Sequence, residues 1–320
     1  MKNIKLKSFM ASVALAVSAT AVSAEEVKIG MPAWTGAQAI GHLLGTIVES
    51  KIGGKVEYVT AGNAVIWQAM DQGKGDIDVH SDVWMPNQGN FADEYITKNG
   101  TVAFGNSYVG EQGYCVAKWF ADEYKITDIV DLGRPEVAAA MDSDGNGLGE
   151  MWIGGHGWAS TNANQIKTRD YGLLDFVETI RAEESVKTAR VKDSIDKREG
   201  YAFYCAKPHA IFSMFDIVML AEPTHDPDKY KILQPGDSEN WYSESYAASK
   251  DAPKDVQIAY SLSLLDHSPT IAEFLSRFAL DAQDVGDLNY QIDGKGRKPL
   301  DVAREWIEAN PDRVDAWLGL

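Results

Sequence analysis

Cysteine is scarce in this chain, with two residues in 320, Cys115 and Cys205. Two cysteines without clustered histidines make no zinc site. Basic residues are few as well: 30 Lys and Arg stand against 47 Asp and Glu, a formal charge of −17. That imbalance argues against nucleic acid or an anionic membrane surface as partner, and it serves solubility. No apolar run approaches the length needed to span a bilayer. The G-x-S-x-G elbow, the H-E-x-x-H pair and a Cys–His signature are all absent, and the six histidines are scattered. An enzyme is not expected.

What is present begins with an export signal. Lys2, Lys5 and Lys7 precede a short apolar run at 9–17, and Val22-Ser23-Ala24 supplies the small residues of a cleavage site. The signal is therefore read as residues 1–24, with a mature chain starting near Glu25 and localised to a periplasm. No cysteine follows the cleavage site, so no lipid anchor is expected. Removing three lysines takes the charge to about −20. In that oxidising compartment Cys115 and Cys205 either pair or stay as two buried thiols, since each lies in an apolar, strand-like stretch.

The first third alternates strand and helix. "EVKIGM", "KVEYVTA" and "GDIDVHSDVW" read as strands. Between and after them, "GAQAIGHLLGTIVESKIG", "NAVIWQAMDQG" (capped by Asn63, closed by Gly73) and "NFADEYITKNG" read as helices. Such alternation predicts a mostly parallel sheet covered by helices, with ligands bound beyond the carboxyl ends of the strands. The loops at those ends carry Trp34 and Trp84, whereas Trp67 sits inside a helix and belongs to the core. A second region, about 111–220, holds the strand "GYCVAKW", helical stretches at 173–180 and 186–195, the strand "YAFYCA" and an apolar helix "AIFSMFDIVML". The chain ends in amphipathic helices bearing Trp306 and Trp317. Without a long linker, it is expected to cross between two lobes more than once.

"MDSDGNGLGEMWIGGHGW" joins two signals. Asp142, Asp144 and Asn146 occupy positions 1, 3 and 5 of a calcium-type loop, with Gly147 at the turn and Glu150 at position 9. Position 12 is Ile153, so this is no EF-hand. The oxygens suit a hard cation such as structural Ca2+, or else form an Asx-rich turn that satisfies its own backbone. A dinucleotide loop would need a strand before it and a helix after it, and neither is evident. The second half sets Trp158 among Gly154, Gly155 and Gly157, with Ser160 and Thr161 able to cap a helix. Loop tryptophans facing each other would make an aromatic cage for a quaternary ammonium group. Trp152 fits either that cage or the core.

In this order, "VWMPN", "EQGYCVAKWFADEYKITDIVDL", "DSDGNGLGE" with "GGHGWAS", and "YAFYCAKPHAIF" resemble the periplasmic substrate-binding proteins of glycine betaine/proline-type ABC transporters. The resemblance covers essentially the whole mature chain. It implies an α/β fold of two lobes, type II-like, each a mixed, mostly parallel sheet flanked by helices, closing on a ligand in the cleft. Lobe one is expected at 25–110 plus about 240–320, lobe two at about 111–220, and a crossover at 221–239. Trp84 and Trp158 match the first two cage positions. At the third, relatives often carry an aromatic where this chain has Ala206; Trp34 is the first choice to replace it, with Tyr204, Trp152 and Trp241 as others. Glu111, at the crossover, is expected to line the pocket and favour a cation. A ligand carboxylate would have to rely on the helix start at 35–38. The implied ligand is trimethylamine N-oxide or glycine betaine, with choline third. The implied partner is a membrane permease, served by a monomeric binding protein with no organic cofactor. A binding protein that signals to a sensor, or an enzyme acting on a small amine, are the other readings.

Overall fold

The computed structural model describes residues 24–320, so the export signal falls almost wholly outside the described residues. Strands β1 (Glu26–Met31), β2 (Lys55–Thr60) and β3 (Val79–Met85) run parallel, as the alternation predicted. The helix Thr35–Ile47 buries Ile40, Leu43, Leu44 and Ile47 against Val27 and Ile29 of β1. It continues through a wider turn, Val48–Ile52, and stops at Gly53, whose φ of 80° is open to glycine at no steric cost. Trp67 is fully buried in the helix Asn63–Gln72. Asn63 makes no cap there; its side chain instead bonds His80.

The long strand β4 (Val102–Ala117) ties the lobes together. In the second lobe β5 (Gly149–Gly154), β6 (Val177–Arg181), β7 (Ala202–Lys207) and β8 (Ile217–Met219) follow. A small pair, β9 (Tyr230–Lys231) with β10 (Tyr246–Ala247), precedes the return strand β11 (Lys254–Ser261). The main sheet runs β2-β1-β3-β11-β4-β7-β5-β6, with β8 also on β4. Residues 102–110 of β4 pair with β11 of lobe one, and residues 111–116 pair with β7 of lobe two. Each lobe has its own apolar core, one around Leu44 and Phe274, the other around Phe120 and Met151.

Three expectations need correction. Residues 173–180 are a turn leading into β6, because Val177, Thr179 and Ile180 favour a pleated strand paired with β5. The apolar run at 210–220 holds one helical turn, Ile211–Met214, and then β8; Ser213 and Asp216 interrupt it, and Ile217–Met219 pair with Cys115–Ala117 of β4 instead of continuing the helix. The segment 240–251 belongs to lobe two. Arg169, on the helix Ala159–Asp170, binds the carbonyls of Tyr242 and Ser245, and Asp170 accepts from the Ala247 amide.

Cys115 and Cys205 form a disulfide between β4 and β7, closing a loop of sequence separation 90. Because it restrains so long a loop in the unfolded chain, Cys115→Ser/Cys205→Ser is expected to lower the unfolding free energy by about 2–4 kcal/mol. Denaturant titration of oxidised wild type against the double variant measures this; equal midpoints would refute it.

Candidate functional site

Between the lobes lies a cavity of about 70 Å³. By the same measure one water takes roughly 10–15 Å³, so it suits a ligand of a handful of heavy atoms. Trp34 and Trp158 enter it from opposite sides, each as the N-cap of a helix, Thr35–Ile47 in lobe one and Ala159–Asp170 in lobe two. Their rings meet edge to face, 5.4 Å between centroids at 76°. Trp84, at the end of β3, faces the same space. Trp152 and Tyr204 extend the aromatic wall: Trp152 lies 5.7 Å from Trp158 and 6.0 Å from Tyr204. Trp152 is both core and wall, for it is buried and its indole N–H donates to the Ala182 carbonyl.

Glycines make room for these rings. A Cβ on Gly155 would sit 2.8 Å from Trp158 Cε2, and one on Gly110 would sit 2.7 Å from Trp84 Cζ3. Either would push its ring off the wall.

Behind the rings stands Asp82. Its Oδ2 accepts the indole N–H of Trp34 at 2.6 Å and of Trp84 at 3.0 Å, and its Oδ1 accepts the Tyr108 hydroxyl at 3.3 Å. Burial pushes its carboxyl up to about 6, against the lowering effect of those three donors. Across the cleft, Glu184 Oε2 accepts the Thr35 amide at 3.2 Å. The Ile211 amide donates to His209 Nδ1, which leaves Nε2 to donate to Glu184 Oε1 at 3.0 Å. Burial alone would raise the Glu184 carboxyl, but His209 and Lys187 outweigh it and lower it to about 2. Lys187, itself buried, places Nζ 3.7 Å from Glu184 and 5.4 Å over the Trp152 ring. Its burial lowers its own pKa.

The sequence reading placed Trp34, Trp84, Trp152, Trp158 and Tyr204 at the site, and the structure brings them together around this cavity. Glu111 is not there. Its side chain points out of β4 and pairs with Lys207 at 3.3 Å, its cross-strand neighbour; the alternation of strand faces puts Gln112 in the wall instead. Trp241 is also elsewhere, packed on Tyr242 in the segment that Arg169 fastens to lobe two. At the helix start expected to receive a ligand carboxylate, the Thr35 amide is already taken by Glu184, while Gly36 lines the cavity.

In the acidic loop, the oxygens that suit a hard cation are engaged by the loop's own backbone. Asp142 Oδ1 accepts the Gly145 and Asn146 amides and Oδ2 accepts that of Gly147; Asp144 accepts from Asn146, and Asn146 from Leu148. Backbone donors, Gly147 foremost, lower the Asp142 pKa. Glu150 turns inward to Ser143 and Arg190. Among the described residues, no three His, Cys, Asp or Glu side chains converge as metal ligands. The Asx-rich turn is the arrangement present.

Sequence reasoning missed Asp82, Glu184 and Lys187. Asp82 had a signal: two residues before Trp84 on a strand, it must share that ring's face. Glu184 and Lys187, three apart on the helix Glu184–Lys197, read as an ordinary solvated pair.

Over residues 25–309 the chain matches the family described as the substrate binding domain of ABC-type glycine betaine transport system. It is 25% identical over 219 residues to the glycine betaine/proline betaine-binding periplasmic protein of Escherichia coli (strain K12), covering 65% of this chain and 63% of that protein, which is less than two thirds of its length. Among solved structures, lactococcal OpuAC in its closed-liganded conformation complexed with glycine betaine has a TM-score of 0.71 at 18% identity, covering 92% of this chain and 99% of that one. An ABC-transporter choline binding protein in complex with choline has a TM-score of 0.70 at 16% identity, covering 92% and 91%. Both likenesses confirm the fold.

Proposed function

Since this chain belongs to the family of substrate-binding domains of ABC-type glycine betaine transport systems, we propose that it captures a small trimethylammonium compound outside the cytoplasm and delivers it to a membrane permease. The observation that carries this reading is the meeting of Trp34 and Trp158, from opposite lobes, on the cavity that Trp84 also walls. Ring faces attract a spread positive charge that can neither give nor take ordinary hydrogen bonds. Closure of the lobes over the ligand is the state a permease would read.

Lys187 narrows the ligand. Lys187 lines the same cavity, and its ammonium, 3.7 Å from Glu184, is the cation nearest to hand for an anionic oxygen of the ligand. Glycine betaine and trimethylamine N-oxide each combine a methylated nitrogen cation with such an oxygen; choline lacks it. The match to a family of binding domains, and not to an enzyme family, goes with capture and release without chemistry on the ligand.

Calorimetric titration with the three compounds tests this. Glycine betaine or trimethylamine N-oxide is expected to bind at least tenfold more tightly than choline. Absence of heat with all three would sink the trimethylammonium reading.

A further inference from the structure

Asp82 is 1% exposed, and every group it touches is neutral: two indole N–H groups and the Tyr108 hydroxyl. The cations of the cleft, Lys187 and His209, turn to Glu184. A buried carboxylate with no opposite charge is costly. A neutral asparagine would present an oxygen to both indoles with less desolvation and would leave an N–H₂ free for Tyr108. Hydrogen bonding therefore does not account for the charge. The carboxylate sits at the cavity wall, where a Cβ on Gly36 would come within 3.1 Å of Oδ2.

We infer that Asp82 is the counter-ion of the ligand's cationic head, acting through Trp34 and Trp84, and that it makes the site select a trimethylammonium group over a neutral group of the same shape. The inference rests on the proposed ligand class and deepens it. One oxygen holds both N–H edges, so the two rings present their faces in a fixed relation. A charge-assisted bond to each N–H also pushes electron density into the ring, strengthening its attraction for a cation. Asp82 is thus a positioning residue that also sets selectivity.

The test uses isosteres in which carbon replaces the charged nitrogen: choline against 3,3-dimethyl-1-butanol, and glycine betaine against 3,3-dimethylbutanoate. Calorimetry on wild type is expected to favour the ammonium member of each pair at least about 30-fold. Asp82→Asn keeps the acceptor and removes the charge. It is expected to cut that preference at least tenfold, to change the affinity for the uncharged 3,3-dimethyl-1-butanol less than threefold, and to leave the ligand-free melting temperature equal or raised. An equal loss for both members would reduce Asp82 to a scaffold and overturn the inference. So would an unchanged preference. A variant that fails to fold would overturn it too, because the carboxylate would then serve the fold. Wild type that binds neither member of either pair would instead sink the ligand reading, and the inference with it.

Discussion

Trp158→Ala is expected to weaken binding of the preferred trimethylammonium ligand at least about 100-fold, or about 2.7 kcal/mol, while the fold survives. Trp158 is half-buried and touches both Trp34 and Trp152 across the cavity, so it is the ring shared by the two lobes' contributions. Its removal takes away one cation–π face in a dry site, worth about 2 kcal/mol, and a large apolar contact besides. The helix it caps does not depend on its side chain, which makes no capping hydrogen bond. Calorimetry paired with far-ultraviolet circular dichroism measures the result. Affinity within threefold of wild type would remove Trp158 from the cage.

Lys167→Met is expected to cost about 3–5 kcal/mol of folding stability. Lys167 is fully buried and reaches Glu222 at 2.5 Å and Asp251 at 2.9 Å. Asp251 also accepts from Lys254 at 2.7 Å and from the Tyr230 hydroxyl at 2.6 Å, and Lys254 goes on to Asn87 at 2.6 Å. Methionine would leave two buried carboxylates short of their shared cation. Urea denaturation measures the loss, and a cost under 1 kcal/mol would show the network to be dispensable.

The same network fixes the direction of the pH response. Burial alone would raise the Asp251 carboxyl, but Lys167 and Lys254 hold it well below its ordinary 3.8. Its contribution is therefore present above 3.8 and is lost as the pH falls below that value. Burial would lower the Lys167 ammonium, yet Asp251 and Glu222 raise it above its ordinary 10.5, so its contribution is complete below 10.5 and is lost as the pH rises past it. Lys254 moves the other way, because its burial outweighs the pull of Asp251. From these two groups, Lys167→Met should flatten the acid limb of the wild-type stability profile.

Much of lobe one was legible because its strands and helices obey simple periods, and because Trp34 and Trp84 sit where a parallel sheet presents its loops. Trp158 was legible from the glycines that make room for it. Lobe two was less so: β6 and β8 are short, mostly only half-buried, and carry no clear alternation. The charged part of the site was hidden for a different reason. Lys187 and Glu184 look like surface residues in a helix whose outer face is charged, and only the approach of Thr35 and His209 from other elements buries them. Glu111 was misplaced by one residue of strand phase, which in a pleated sheet is the difference between wall and solvent.

The crossings between the lobes bear on the thermodynamics of capture. One is the middle of β4, already hydrogen-bonded to β11 below residue 111 and to β7 above it. The other runs through Ser249, Asp251 and Lys254, all buried and bonded. Neither is a slack tether. Movement of one lobe against the other must be carried as torsion in a preformed shaft, so a ligand's binding energy is not diverted into freezing a flexible connection. A cavity that holds only a handful of atoms offers few contacts, and such a protein can bind tightly only if its joints come already stiff.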